Sequence, residues 1–535
     1  MDEFSAQIDA LKREPVARLR EPEQLEWLLH ALGRANEGRQ LDDVRHLIEE
    51  ALDGRDGLPV LRSELATRFF ALGLSSAHAP ARRLACEQLA RLATPDDVRT
   101  LVESGALALL GALVADPELA VAHAARACLV AAARSCASSE LEQDLVLTPQ
   151  LLAELSGFAS RPGPKNAPVR MRALEVSAQC ASLSPRAFAA CQRAGLLQML
   201  VGSWLSDDVL EKLAALEILL DVASASPAGL ALLAGDVGAT PTGAPAAAAP
   251  PTTPAVRDAL ADVVRTLEQS IDGTHPDALS AVLLAAPILS FVARLATAGV
   301  AQHAALLERG ALRASGRALA AAPSDEVAVA ALDALQALGG SHGARALGEL
   351  LGQTAALEHI CSLAEEARTP RAVRAAAVRA LGRLLGAATA AGELRAGEYA
   401  TLETAAQRAL ARESTTLVSA LLAGATSADE EMRHASFDCL HALCLGERGA
   451  LLVACCAPAV GWLADAAAFQ AASDVPRKRD IAAALLRHPR ACAHLPPSAL
   501  AVLSAGGGGG ASGASNGRTR PRDASAAVEG DAEMG

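Results

Sequence analysis

Aromatic residues make up only 2% of this 535-residue chain: three Trp, one Tyr and eight Phe. The interior therefore has to be Ala, Leu and Val packed between closely spaced helices, which suits helix pairs and is poor for a β-sandwich. Cationic residues are also scarce against acids, 48 to 61, for a formal net charge of -13. Counterion release on nucleic acid needs a basic surface, so nucleic-acid binding is not expected. No uninterrupted apolar run looks long enough to cross a bilayer, and no membrane role is expected. Met1-Asp-Glu-Phe-Ser-Ala6 lacks the basic and apolar regions of a secretory signal. A cytoplasmic or nuclear location is the expectation.

Nucleotide-binding and catalytic signatures are missing too. No Gly-x-Gly-x-x-Gly follows a strand pattern, and no phosphate-binding Gly-x-x-x-x-Gly-Lys is present. Gly-x-Ser-x-Gly occurs once, at Gly339 to Gly343, but after a helix pattern that runs to Leu338 and not after a strand. It reads as a turn. Asp207-Asp208 and Asp429-Glu430-Glu431 sit at helix starts, where carboxylates cap free N–H groups. The eleven cysteines have no disulfide-framework spacing. Cys86, Cys128, Cys180, Cys439 and Cys444 fall among Ala and Leu, as small core residues do. A metal set of Cys439, Cys444, Cys455 and Cys456 with His434 or His441 lacks zinc-site spacing. No enzyme, cofactor or metal is expected.

What is present is a repeat. Val169, Ala173, Val176, Cys180 and Leu183 mark one helical face, and Ser184-Pro185 caps the next helix. Leu196, Leu197, Leu200, Val201 and Trp204 continue the apolar stripe. Asp207-Asp208 opens a third helix through Val209, Leu213, Leu216 and Leu220, and Ser226-Pro227 starts the cycle again. Val102-Glu-Ser-Gly-Ala-Leu107, Cys191-Gln-Arg-Ala-Gly-Leu-Leu197 and Leu307-Glu-Arg-Gly-Ala-Leu312 repeat one block. Acidic turns follow at Asp116-Pro117, Asp207-Asp208 and Asp325-Glu326. The separations fit helical repeats of roughly 40–47 residues. In each block glycine is expected to allow close helix crossing and an unusual backbone geometry.

The fold class is therefore all-α: an armadillo/HEAT-like right-handed superhelical solenoid. Residues 1–79 form an N-terminal cap with irregular first helices: an amphipathic segment from Glu3 to Arg20, then helices through Leu25 to Leu32, Leu41 to Leu52 and Leu58 to Leu74. Residues 80–234 and 256–503 are repeats, with Pro287 expected to kink or end a helix. Residues 235–255 form an Ala/Pro-rich disordered insertion, and 504–535 a disordered tail. Such arrays offer a concave groove to another protein. Trp204 and Trp462 are the candidate partner-binding residues, because aromatics recur at binding hot spots, although leucine-spaced tryptophans also suit a core.

Two blocks carry a family resemblance. The first is Leu183-Ser-Pro-Arg-Ala-Phe-Ala-Ala-Cys-Gln-Arg-Ala-Gly-Leu196 with Asp207-Asp-Val-Leu-Glu-Lys-Leu213. The second is Glu431-Met-Arg-His-Ala-Ser-Phe-Asp-Cys-Leu-His-Ala-Leu443 with Lys478-Arg-Asp-Ile-Ala-Ala-Ala-Leu-Leu-Arg-His-Pro489. Together they resemble the 26S proteasome non-ATPase regulatory subunit 5 family. The insertion and the tail depart from its pattern. The resemblance implies a non-catalytic chaperone, monomeric before complex formation, that binds the C-terminal domain of an AAA ATPase subunit of the regulatory-particle base. No groove contact residues carry over. Competing readings are an importin- or catenin-like adaptor, which would use Asn and Trp ladders that are sparse here, and a metal-dependent HEAT-repeat oxygenase.

Overall fold

The computed structural model describes residues 3–34, 39–92, 94–138, 140–235, 258–340, 354–365, 368–390, 417–465 and 473–507. Among them the regular structure is α-helix throughout, apart from one 3-10 turn at Pro164–Asn166, with no strand. The chain divides into two compact units, Met1–Ala356 and Leu357–Gly535. That division falls inside the stretch 256–503 that the sequence reads as one block of repeats. The insertion from residue 236 and the tail from residue 508 lie outside the described residues.

Each repeat contains one long helix, and these are numbered here: α1 Ala79–Leu89, α2 Leu119–Ser135, α3 Ala167–Ala181, α4 Val209–Ala225, α5 Ala278–Ala298 and α6 Asp325–Gly340 in the first unit. The second unit holds α7 Arg371–Ala390, α8 Glu430–Leu445 and α9 Asp474–Leu486. In the first unit each long helix packs on the next, from α1 to α6; in the second, α7 packs on α8 and α8 on α9. Shorter helices make a parallel row, Glu64–Gly73 on Ala106–Leu113, then on Pro149–Ala159, then on Leu196–Trp204. This is an armadillo-like stack, and small side chains make it close. Ala125, Cys128 and Leu129 in α2, and Ala173, Val176 and Cys180 in α3, are all buried.

The caps form as the residue types dictate. Ser184, Asp208, Ser226 and Asp429 each accept a backbone N–H from the first turn of the helix that follows. Gly105, Gly195 and Gly310 all join two short helices with a left-handed backbone, φ 73°, 76° and 78°. Gly235 takes the same conformation after Pro227–Leu233, so the insertion begins where the other repeats turn directly into their next helix. The expected close crossing is not at these turns, where a Cβ would meet nothing nearer than 3.5 Å. It is at Gly382 in α7, where a Cβ would lie 2.9 Å from the Cys439 Cα of α8.

Several boundaries differ from the sequence reading. The helix expected from Leu58 to Leu74 is two, Gly54–Leu61 and Glu64–Gly73, with Pro59 inside the first. Pro287 does not end its helix; α5 continues through it to Ala298. Leu279–Ala298 is in fact apolar and long enough to cross a bilayer by composition. It nonetheless packs against α4, α6, Ala259–Asp272 and Val300–Glu308, as a core helix does. The last helix, Pro497–Gly507, extends past Leu503 into the first glycines.

An ionic device recurs that the apolar pattern does not announce. Arg82, Arg170 and Arg433 are each the fourth residue of a long helix. Arg82 makes paired hydrogen bonds to Asp116 at 2.8 and 3.0 Å, and Arg170 to Glu211 at 2.9 and 2.7 Å. Arg433 donates to Asp474 at 3.0 Å. Each acceptor stands at the start of the next long helix. The same guanidinium also holds carbonyls of its own preceding turn: Ser76 and Ala77, Arg161, or Ser427 and Ala428. The arginine thus locks one repeat to its successor. The Arg170 hydrogen bonds outweigh desolvation and hold the Glu211 carboxyl below its ordinary range. That contribution to stability is therefore full above the ordinary carboxylate range, and is lost as pH falls through the depressed folded-state value.

Two outcomes are expected in denaturant titrations of the full chain. Arg433→Ala strands the buried Asp474 carboxylate and should destabilise the second unit by about 3 kcal/mol. Gly195→Ala should cost the first unit ~1–2 kcal/mol through backbone strain alone, and Gly195→Asn should cost less.

Candidate binding face

The long helices bury one side in the stack and leave the other in solvent, so each unit has a face built from their outward residues. In the first unit this face carries a charged row across four helices. Arg126 of α2 pairs with Glu175 of α3. Arg294 of α5 donates to Glu217 of α4 at 2.8 Å. Asp221 lies one turn beyond Glu217 on α4, so helical spacing puts the two carboxylates on one side. Burial raises the Asp221 carboxyl above its ordinary range; Glu217 and Glu175 raise it further, and Arg294 opposes them. The second unit repeats the plan with Arg379 to Glu431 between α7 and α8, and Arg477 to Asp438 at 2.6 Å between α8 and α9.

Exposed pairs of this kind contribute little to stability. A carboxylate held near two others is a cost to the free protein, which a cationic partner would relieve. At the centre of the face Asp221 is thus the carboxylate whose charge the free protein disfavours, beside Glu175 and Glu217, which Arg126 and Arg294 already pair.

The two tryptophans fare differently. Trp204 is not on this face. Its ring is 0% exposed in the core, where Nε1 donates to Asp262 at 3.1 Å and so ties Leu196–Trp204 to Ala259–Asp272. The leucine-spaced stripe is core here, and Trp204 is corrected from a contact residue to a packing residue. Trp462 is half-buried against Phe437, ring centroids 5.5 Å apart, with the Lys478 ammonium 5.0 Å from its ring. Sequence reasoning missed Glu175, Glu217 and Asp221 because exposed charges on a helix are ordinary. The signal that could have found them is their place at matching outward positions of successive long helices.

The five core cysteines named from the sequence are buried, and burial pushes the Cys86 thiol up to about 12. No group of three or more His, Cys, Asp or Glu among the described residues is arranged to hold a metal ion. Gly339 and Gly340 form the last turn of α6; the remainder of that Gly-x-Ser-x-Gly string lies outside the described residues. A cleft of about 610 Å³ in the second unit is lined by small apolar side chains such as Ala454, Val460 and Ala499, with His494 at its edge.

One family model matches part of the chain. Residues 25–236 match the proteasome non-ATPase 26S subunit family. The matched span includes α1 to α4 and therefore Arg126, Glu175, Glu217 and Asp221; it stops at the insertion. This bears out the family resemblance of the first block and supports a proteasome-related scaffold. Among curated proteins no match is found. Similar solved structures include designed molecules. One engineered protein is 17% identical, covering 86% of this chain and 98% of its own, with a TM-score of 0.46. A designed armadillo repeat protein is 19% identical, covering 51% of this chain and 99% of its own, with a TM-score of 0.31.

Because Asp221 is disfavoured as an anion, Asp221→Asn should raise the melting temperature at neutral pH. The gain should shrink as pH falls through the raised carboxyl value, where the native residue is already neutral. Thermal melts of both proteins across that range measure it.

Proposed function

We propose that this protein is a non-catalytic assembly chaperone of the 26S proteasome regulatory-particle base, acting in the cytoplasm or nucleus. It takes the C-terminal domain of an AAA ATPase subunit on the face presented by its long helices. The observation that carries this reading is the family match over residues 25–236, which contains most of the charged row. The fold supports it physically: stacked repeats spend their apolar area on their neighbours and leave an extended side-chain surface for a partner. Net charge -13 and the Glu175–Glu217–Asp221 centre suit a basic partner surface. Attraction of that kind speeds encounter and weakens with salt. Trp462, half-buried against Phe437 and Lys478 in the second unit, remains a contact candidate, whereas Trp204 supports the scaffold from inside.

Affinity purification of the full chain, followed by mass spectrometry, tests the assignment. Base ATPase subunits should be recovered, and purified ATPase C-terminal domains should bind directly. A Glu217→Lys/Asp221→Lys variant should lose roughly tenfold or more in affinity, since like-charge contacts at an interface cost several kcal/mol. Recovery of importin cargoes or membrane receptors without any base ATPase would contradict the assignment.

A further inference from the structure

The long helix α5 has 21 residues, while its neighbours α4 and α6 have 17 and 16. Where the extra length goes is settled by Val300–Glu308, the helix that follows α5. Gln302 donates to the Ala223 carbonyl near the end of α4, at 3.0 Å. His303 Nε2 lies 2.7 Å from the Leu338 carbonyl near the end of α6. One short helix thus ties the C-terminal ends of all three long helices together. With those ends tied by one short helix, the surplus of four or five residues, roughly 6–7 Å, falls toward the N-terminal end of α5, where the exposed residues lie.

That overhang is apolar. Leu279, Val282 and Leu283, spaced three and four apart on one helical side, are 69%, 58% and 47% exposed. They share the edge with Leu210 in the first turn of α4, which is 75% exposed. Most large exposed apolar residues of the described chain are gathered at the starts of long helices in this unit. Carboxylates frame them: Asp207 before α4, Asp277 before α5, and Asp325 and Glu326 at the start of α6 are all exposed. The cation in the first turn of α4, Lys212, lies 5.8 Å from the Trp204 ring centroid. An apolar ridge set in carboxylates matches one chemistry in its complement: apolar side chains flanked by Lys or Arg.

We propose that the projecting first turns of α5, with Leu279, Val282 and Leu283, are a docking site for a cationic amphipathic helix of a partner protein. This extends the scaffold reading: it rests on the chain binding protein partners, though not on the partner being an ATPase. Leucines of the incoming helix cover the ridge, and its basic residues reach Asp207, Asp325 and Glu326.

The test uses the full chain and fluorescein-labelled model helices about five turns long, composed of Leu/Lys, Leu/Glu or Ser/Lys. Fluorescence anisotropy should show the Leu/Lys helix binding at least tenfold more tightly than either control. A Leu279→Ser/Leu283→Ser variant with an unchanged melting profile should lose that preference. An Asp325→Asn/Glu326→Gln variant should lose several-fold affinity at low salt and less at high salt. Equal binding of the three helices, or full binding by the double serine variant, overturns the proposal. So does a concentration-dependent dimer abolished by those serines, which would make a second copy the occupant, and so does their loss of binding to phosphatidylcholine vesicles. Model-helix binding without binding of ATPase domains would leave this site standing and remove the ATPase assignment; the reverse pattern would do the opposite.

Discussion

Everything in this protein depends on long helices being able to lie close beside one another. Ala, Cys and Gly on their inward sides allow it, with Leu and Val filling what remains. No repeat of this composition could bury its apolar face alone, so each is stable only through its neighbours, as in other quasi-one-dimensional folds. The approach is close between α7 and α8, where Gly382 faces the Cys439 backbone. Aromatic residues are scarce for the same reason. The largest buried ring, Trp204, lies between the helices Leu196–Trp204 and Ala259–Asp272 of the first unit.

Apolar stacking alone is slippery, because one Ala/Leu face resembles another. The arginines at the fourth position of α1, α3 and α8 add direction to it. Each joins its own preceding turn to a carboxylate at the start of the following long helix, so a slip of register would strand a buried charge. Polar specificity and apolar adhesion are thus divided between the ends and the middles of the helices. The function follows from that division. Outward positions are released from packing, and they can carry charges such as Glu217 and Asp221 that do little for the fold.

Within the first unit two distinct kinds of surface result. The middle of the long-helix face is ionic, crossed by Arg126 to Glu175 and Arg294 to Glu217. The N-terminal edge is apolar and framed by acids, because α5 outruns its neighbours. A scaffold with both can hold a partner by charge and by a buried anchor, and residues 25–236, which match the proteasome non-ATPase 26S subunit family, carry most of the ionic surface.

The sequence by itself determined the helical class, the repeat, the caps at Ser184, Asp208, Ser226 and Asp429, and the left-handed glycines, because each depends on residues only a few positions apart. Local chemistry is enough for such features. It could not decide which side of a stripe faces the core, so Trp204 fits either contact or core by sequence; the bond from its indole N–H to Asp262, 58 positions away, and its full burial make it core. Nor could it reveal the Arg-to-carboxylate locks, which span 34 to 41 positions, or the overhang of α5. Those arise from how helices of unequal length are aligned in space, and only the tertiary structure carries that alignment.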